Sequence, residues 1–202
     1  MSSVSVEWDE RYSSAERVWS GEPNGSLVTD VAGLTPGRVL DVGCGEGADA
    51  VWLAGRGWTV TALDVSRVAL DRAALHASDA GADVTWVHAG LVEAGLTAAS
   101  YDLVSAQYPA LLRTPTHDAE RALVDAVAPG GLLVVVHHAD VDRDEALSRG
   151  YDPDDYVDHQ DVVDALGDGW SIEVAERRAR AVPTSGQAHH HVDEVLRARR
   201  LV

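Results

Sequence analysis

Cysteine is almost missing from this sequence: Cys44 stands alone among 202 residues. A single thiol excludes an intrachain disulfide and a multi-cysteine zinc site. Long apolar runs are missing as well. No window approaches the run of about 20 apolar residues that a membrane-spanning helix needs. The opening Met1-Ser2-Ser3-Val4-Ser5-Val6-Glu7 has no basic segment followed by an apolar one, as a secretory leader would. These absences predict a cytoplasmic protein without a membrane partner. Positive charge is scarce: 33 acidic residues against 16 basic ones leave a net charge of −17. Such a field repels nucleic acid unless basic residues are segregated. Arg177, Arg178, Arg180, Arg197, Arg199 and Arg200 come nearest to a patch, but they fall in apparent strands and read as solvated or paired at a sheet edge. Phenylalanine is absent and every basic residue is arginine, a mark of GC-rich coding that carries nothing about mechanism.

What is present is alternation. Apolar runs of strand length take turns with helical patterns, which predicts an α/β layered fold. Strands are expected at Arg38 to Val42, Trp58 to Leu63, Val84 to His88, Tyr101 to Ala106 and Leu132 to His137. The last of these is continuously apolar, as a strand buried on both faces should be. Helices are expected at Glu46 to Arg56, from an N-cap at Ser66 to Ala77, at His117 to Val127 and at His159 to Leu166. Pro129-Gly130-Gly131 reads as a turn before the fifth strand. Ser171 to Arg180 and His190 to Arg200 read as a closing antiparallel hairpin. Residues before Thr35 form an arm (1–34), helical around Asp9 to Val18, in front of a main domain (35–202).

In an open α/β sheet, ligands bind beyond the carboxyl ends of the strands. The first such end carries Leu40-Asp41-Val42-Gly43-Cys44-Gly45-Glu46-Gly47. Its glycines allow a sharp turn and a close backbone approach to a ligand, and the amides opening the next helix would point into the same space. Asp64 ends the second strand about 20 residues on, where a carboxylate can accept both hydroxyls of a ribose. Gly43, Gly45 and Ala48 also satisfy the dinucleotide spacing, so an NAD-linked oxidoreductase is a competing reading. Asp41 and Glu46 count against it, because fixed anions are unhelpful beside a pyrophosphate and suit a ligand with an ammonium and a sulfonium. The predicted hairpin in place of a second mononucleotide half counts against it too.

Leu40 to Gly47 resembles motif I of the class I S-adenosylmethionine-dependent methyltransferases. Leu63-Asp64-Val65-Ser66, Tyr101-Asp102-Leu103-Val104 and Ala128-Pro129-Gly130-Gly131-Leu132-Leu133 resemble that family's second-, fourth- and fifth-strand motifs, in order. The resemblance covers about Val31 to Val136. It implies a Rossmann-like three-layer sandwich with a seven-stranded, mostly parallel sheet and an antiparallel last strand. It implies S-adenosylmethionine as cofactor, with Gly43 and Gly45 under its methionine part, Asp41 orienting the loop or the amino group, Asp64 on the ribose and Val65 on the adenine. After the third strand the family often has an acidic residue for the adenine amino group. Here Gly90 stands there, leaving that contact to backbone groups and Leu91. Gln107 and Tyr108 would border the transferred methyl.

Methyl transfer from a sulfonium relies on alignment and desolvation, and a protonated acceptor also benefits from a base near neutral pKa. His137 and His138 are the candidate bases at the end of the fifth strand, and strand alternation lets only one of them face a given side. His189, His190 and His191 precede the last strand, with His190 a candidate for the acceptor rim. Consecutive histidines rarely converge on one ion, so no metal is expected. Trp8, Tyr12 and Trp19 lie at near-helical spacing and read equally as a packed stripe or as an aromatic lid. Trp8-Asp9-Glu10-Arg11-Tyr12 and Trp19-Ser20-Gly21-Glu22-Pro23-Asn24 look like the start of small-molecule methyltransferases of the thiopurine and tellurite-resistance type. The expectation is an enzyme, monomeric or homodimeric, that methylates a sulfur, nitrogen, oxygen or chalcogen atom of a small molecule. A non-catalytic protein that binds S-adenosylmethionine is the other alternative.

Overall fold

The computed structural model describes residues 3–180 and 191–202. The chain runs α1 (Ser3–Ser13), α2 (Gly25–Asp30), β1 (Arg38–Val42), α3 (Ala48–Ala54), β2 (Thr59–Asp64), α4 (Arg67–Ala80), β3 (Val84–His88), β4 (Tyr101–Gln107), α5 (Asp118–Ala126), β5 (Val127–His138), α6 (Arg143–Ser148), α7 (His159–Ala165), β6 (Trp170–Ala179) and β7 (Val192–Arg200). Seven strands form one sheet in the order β3-β2-β1-β4-β5-β7-β6. β7 runs antiparallel to both of its neighbours, β5 and β6. The other pairings, from β3 through to β5, are parallel.

Alternation along each strand sorts the core into two layers. Leu40, Val42, Val104, Leu133 and Val135 pack with Leu123 of α5 and Val162 of α7. Val39, Val60, Leu103, Leu132 and Val134 pack on the other face with Leu27 of α2 and with Ala50 and Leu53 of α3. Leu132 to Val136 are all fully buried, because β5 lies between β4 and β7 with helices over both faces. Ser66 caps α4 by accepting from the Ala69 amide at 3.1 Å, and Gly81 ends that helix in the left-handed conformation.

Several boundaries depart from the sequence expectation. Pro129-Gly130-Gly131 is a bulge inside a continuous β5, not a turn before it: the register jumps from Tyr101↔Val127 to Leu103↔Leu132. The arm's helix stops at Ser13 and does not extend to Val18. The Val18 and Trp19 amides donate to the Glu46 carboxylate, which draws the backbone out of the helix. The six-residue helices α2 and α6 have no apolar periodicity to announce them. Four of the six C-terminal arginines are paired with carboxylates, Arg177, Arg178, Arg197 and Arg199. Arg197 and Arg199 hold Glu173, and Arg178 holds the buried Asp30. Among the described residues, no helix is long and apolar enough to cross a membrane.

Candidate functional site

The register brings the carboxyl ends of β1, β2 and β4 level: Val42 lies beside Leu63 on one side and Ala106 on the other. The chain leaves β1 toward β2, while β4 takes the place on its far side. That reversal opens a crevice above the β1–β4 boundary. The loop after β1 is pinned to the end of β2. The Gly43 and Cys44 amides both donate to the Leu63 carbonyl, at 2.9 and 3.0 Å. The Gly45 amide donates to Oδ2 of Asp64 at 2.9 Å, and Oδ1 of Asp64 accepts the Ser66 amide at 2.8 Å. Gly43 and Gly45 hold φ of +69° and +53°, a region costly for residues with a Cβ. A Cβ on Gly43 would meet nothing within 4 Å, so the space over it is open. The loop amides of Gly43, Cys44 and Gly45 are thus committed within the chain and are not free donors for an anion.

The charges around the loop say the same. Asp41, Asp49 and Asp64 are all buried, and no arginine pairs with any of them among the described residues. Burial, reinforced by Asp49 and Asp64, pushes the Asp41 carboxyl well up from its ordinary value. Burial also raises Asp49, against the opposing hydrogen bonds from Asn24, and raises Asp64, against the amides of Ser66 and Gly45. Oδ2 of Asp41 has no hydrogen-bond partner, and neither does Oε1 of the buried Gln107 at the end of β4. A buried carboxylate with a vacant oxygen costs free energy until a donor or cation meets it. A pyrophosphate would find repulsion here; an ammonium would find a counterion.

The arm lies directly on this loop. Tyr12 is buried, and its hydroxyl sits 2.8 Å from where a Cβ on Gly45 would be. The Trp19 indole donates to that hydroxyl at 3.0 Å, while Trp19 itself stays exposed. Asp9 accepts from Ser66 Oγ at 2.6 Å and from the Val68 amide at 3.2 Å, joining the start of α4. Ser5 Oγ donates to the Val65 carbonyl at 2.9 Å. Glu46, read from the sequence as a loop anion, instead faces the arm and Arg72, 2.8 Å away.

The two candidate bases separate as alternation requires. His138 stacks on the Tyr108 ring with centroids 4.3 Å apart. His137 faces α7, edge-on to His159 at 6.4 Å, with both ring nitrogens buried and unpartnered. Burial, with His159 beside it, lowers the His137 pKa to about 4, so it is neutral at neutral pH. Tyr108 follows β4 with a left-handed φ of 52°. Its hydroxyl donates to Asp193 at 2.7 Å, and burial pushes its pKa upward. Leu91 is buried in the core beside Leu63. His190 lies outside the described residues.

Some residues at the site were not singled out by the sequence. Asp49 sits beside the inward Ala50 on α3, and Asp193 shares a strand face with Val195; an ionisable residue in a buried register is the signal in both cases. Glu93 is another. A Cβ on Gly90 would collide with its carboxylate, so Glu93 occupies the space where the sequence expectation missed an acidic side chain.

Residues 39–131 match the family model described as a methyltransferase domain. An uncharacterized methyltransferase of Mycobacterium bovis is 40% identical over 98 residues, covering 48% of this chain and 49% of that protein. A ubiquinone biosynthesis O-methyltransferase of Escherichia fergusonii is 36% identical over 108 residues, covering 53% of this chain and 45% of that one. The chain thus spans about half the length of the curated relatives it matches. Among solved structures, a chain from the conversion of a disulfide bond into a thioacetal group during echinomycin biosynthesis aligns with a TM-score of 0.77 and 25% identity, covering 98% of this chain and 92% of that one. The motif order, the seven-stranded sheet with β7 reversed and the pinned loop over three buried carboxylates agree with the match of residues 39–131 to a methyltransferase domain.

Proposed function

We propose that this protein transfers a methyl group from S-adenosylmethionine to a heteroatom of a small molecule. One observation carries the reading. Three carboxylates are buried around an open glycine loop, none has a cation among the described residues, and Asp41 keeps an oxygen without a hydrogen-bond partner there. When bound, S-adenosylmethionine supplies an ammonium, a ribose diol and a methyl on a sulfonium.

Asp41 offers its vacant Oδ2 to the ammonium, and Asp49 adds negative charge behind it. Asp64 already accepts one amide on each oxygen. A carboxylate oxygen has two lone-pair sites, so one remains on each for a ribose hydroxyl. Val65 and Glu93 border the adenine side, and Gln107 presents its free Oε1 toward the crevice. Tyr12 and Trp19 roof the loop as a lid, excluding water from the displacement and offering an aromatic face to a sulfonium. Where the acceptor carries a proton, His138 beside Tyr108 takes it at a ring nitrogen. His137, turned toward α7 and poorly basic, does not. The curated relative named for O-methylation in ubiquinone biosynthesis supports a small-molecule acceptor.

The test is turnover on a panel of thiols, phenols and N-heterocycles, followed by release of S-adenosylhomocysteine. Turnover on at least one class, lost in Asp41→Asn, is expected. Tight cofactor binding with no turnover on any class would favour a cofactor sensor, and absence of cofactor binding would overturn the reading.

A further inference from the structure

A cavity of about 190 Å³ opens between the loop leading into α2 and the ends of β6 and β7. Tyr108 forms its inner wall, next to Gln107 and hence next to the crevice above β1 and β4. Ser20, Asn24 and Ser26 line one side; Arg178 and Arg180 line the other. The two arginines differ. Arg178 is bound to Asp30 at 2.8 Å and to Glu176 at 2.9 Å. Its neighbour Arg177 pairs with Asp140. Arg180 has no carboxylate among the described residues, and its guanidinium lies over the Tyr108 ring, 4.3 Å from the centroid.

Carboxylates outnumber arginines two to one in this chain, so a half-buried arginine left without one is held in reserve for something else. The two carboxylates on the cavity wall do not neutralise it. Asp193 is buried and accepts the Tyr108 hydroxyl through Oδ2, with its other oxygen 4.0 Å from His138 Nδ1. Glu22 is exposed and makes no ion pair among the described residues. A guanidinium held over a ring keeps N–H donors that match a planar oxyanion.

We propose that this cavity is the acceptor subsite and that it selects an acceptor bearing a carboxylate or similar small oxyanion, with Arg180 as the counterion. The proposal rests on the methyltransferase reading for the word acceptor, but the anion site itself stands on the cavity and its unpaired guanidinium. It also divides the molecule's task by charge. The cofactor's cationic end meets the carboxylates of the β1–β2 side. The acceptor's anionic end meets Arg180 on the β6–β7 side, which fixes the direction in which the acceptor enters.

Calorimetry on the full chain tests it, with salicylate and benzoate as anionic probes, phenol and benzamide as their neutral counterparts, and benzylamine as a cation. Binding of S-adenosylhomocysteine is measured separately. Each anionic probe is expected to bind at least about tenfold more tightly than its neutral counterpart, as one charge-assisted contact implies. Arg180→Gln should abolish that preference while leaving S-adenosylhomocysteine affinity and the melting temperature unchanged, and Arg180→Lys should restore part of it. Equal binding of anion and neutral counterpart, preference for benzylamine, a preference surviving in Arg180→Gln, or no binding of either carboxylate at millimolar concentration would each overturn the proposal. Failure of S-adenosylhomocysteine to bind would instead strike the methyltransferase reading, leaving the probe comparison to decide the anion site.

Discussion

The two walls of the crevice are charged in opposite ways. On the β1–β2 side, Asp41, Asp49 and Asp64 are buried together without a guanidinium, and their ionised forms are disfavoured. On the β6–β7 side, several carboxylates have an arginine: Asp30 with Arg178, Glu173 with Arg197 and Arg199, Asp140 with Arg177, while the buried Asp193 accepts the Tyr108 hydroxyl. The first wall is incomplete by itself and becomes complete with a cationic ligand. The second carries its own ion pairs as folded, with Arg180 left without a carboxylate among the described residues. A structural region satisfies its own charges; a binding region leaves them for the ligand.

The largest effect should come from breaking the self-satisfied wall. Arg178→Ala leaves Asp30 buried without its cation and should cost about 3 kcal/mol of stability, the usual order for orphaning one member of a buried pair. Denaturant unfolding measures it. A loss no greater than that of an exposed arginine would show the two walls to be less different than described.

A pH series sharpens the boundary between the walls. His137 is held neutral, with its pKa lowered to about 4 from about 6.5. Between those values the unfolded chain binds a proton that the folded chain does not, so stability falls as pH falls through that window. The contribution is about 3 kcal/mol at most. The raised pKa values of Asp41, Asp49 and Asp64 have the opposite sign, since the folded chain binds those protons more readily and stability gains as pH falls. Comparing wild type with His137→Gln isolates the first term. The variant should lose less stability than wild type between about pH 6.5 and pH 4; identical slopes would mean that His137 is solvated.

On the β1–β2 wall, Asp64→Asn should weaken S-adenosylhomocysteine binding by about 1–3 kcal/mol, roughly 5- to 150-fold, because the ribose loses a charged acceptor. Unchanged affinity would place the ribose elsewhere. The smallest effect concerns the arm. Glu46→Gln weakens the contacts to Val18, Trp19 and Arg72 and should cost about 1 kcal/mol. It should also speed proteolysis between Ser14 and Asn24. Unaltered cleavage would show that Glu46 is not what holds the arm.

The sheet was legible from the sequence because its signals are local. Arg38 to Val42 and Val84 to His88 are found with the expected limits, and Ser66 and Gly81 bound α4 with their own side-chain and backbone chemistry. The position of the glycine loop was legible for the same reason: Asp41, Gly43, Gly45 and Asp64 sit at strand ends whose positions the apolar runs define. What was not legible depends on contacts distant in sequence. Glu46 turns toward Val18, 28 residues away, so its side chain could not be placed from the loop alone. Tyr108 finds Asp193 across 85 residues, and Arg178 finds Asp30 across 148. The β6–β7 wall is assembled from such pairs, so it emerged only with the fold.

The central claim is that the crevice over Gly43 is built for a cationic nucleoside ligand. Titration calorimetry of S-adenosylmethionine and of NAD, each in two buffers of different ionisation enthalpy near about pH 6, tests it most directly. A cation that meets Asp41 and Asp49 favours their ionised forms, so S-adenosylmethionine should bind with release of protons to the buffer and more tightly as pH rises, and NAD should not bind. Tight binding of NAD without binding of S-adenosylmethionine, or uptake of protons on binding S-adenosylmethionine, would contradict the account.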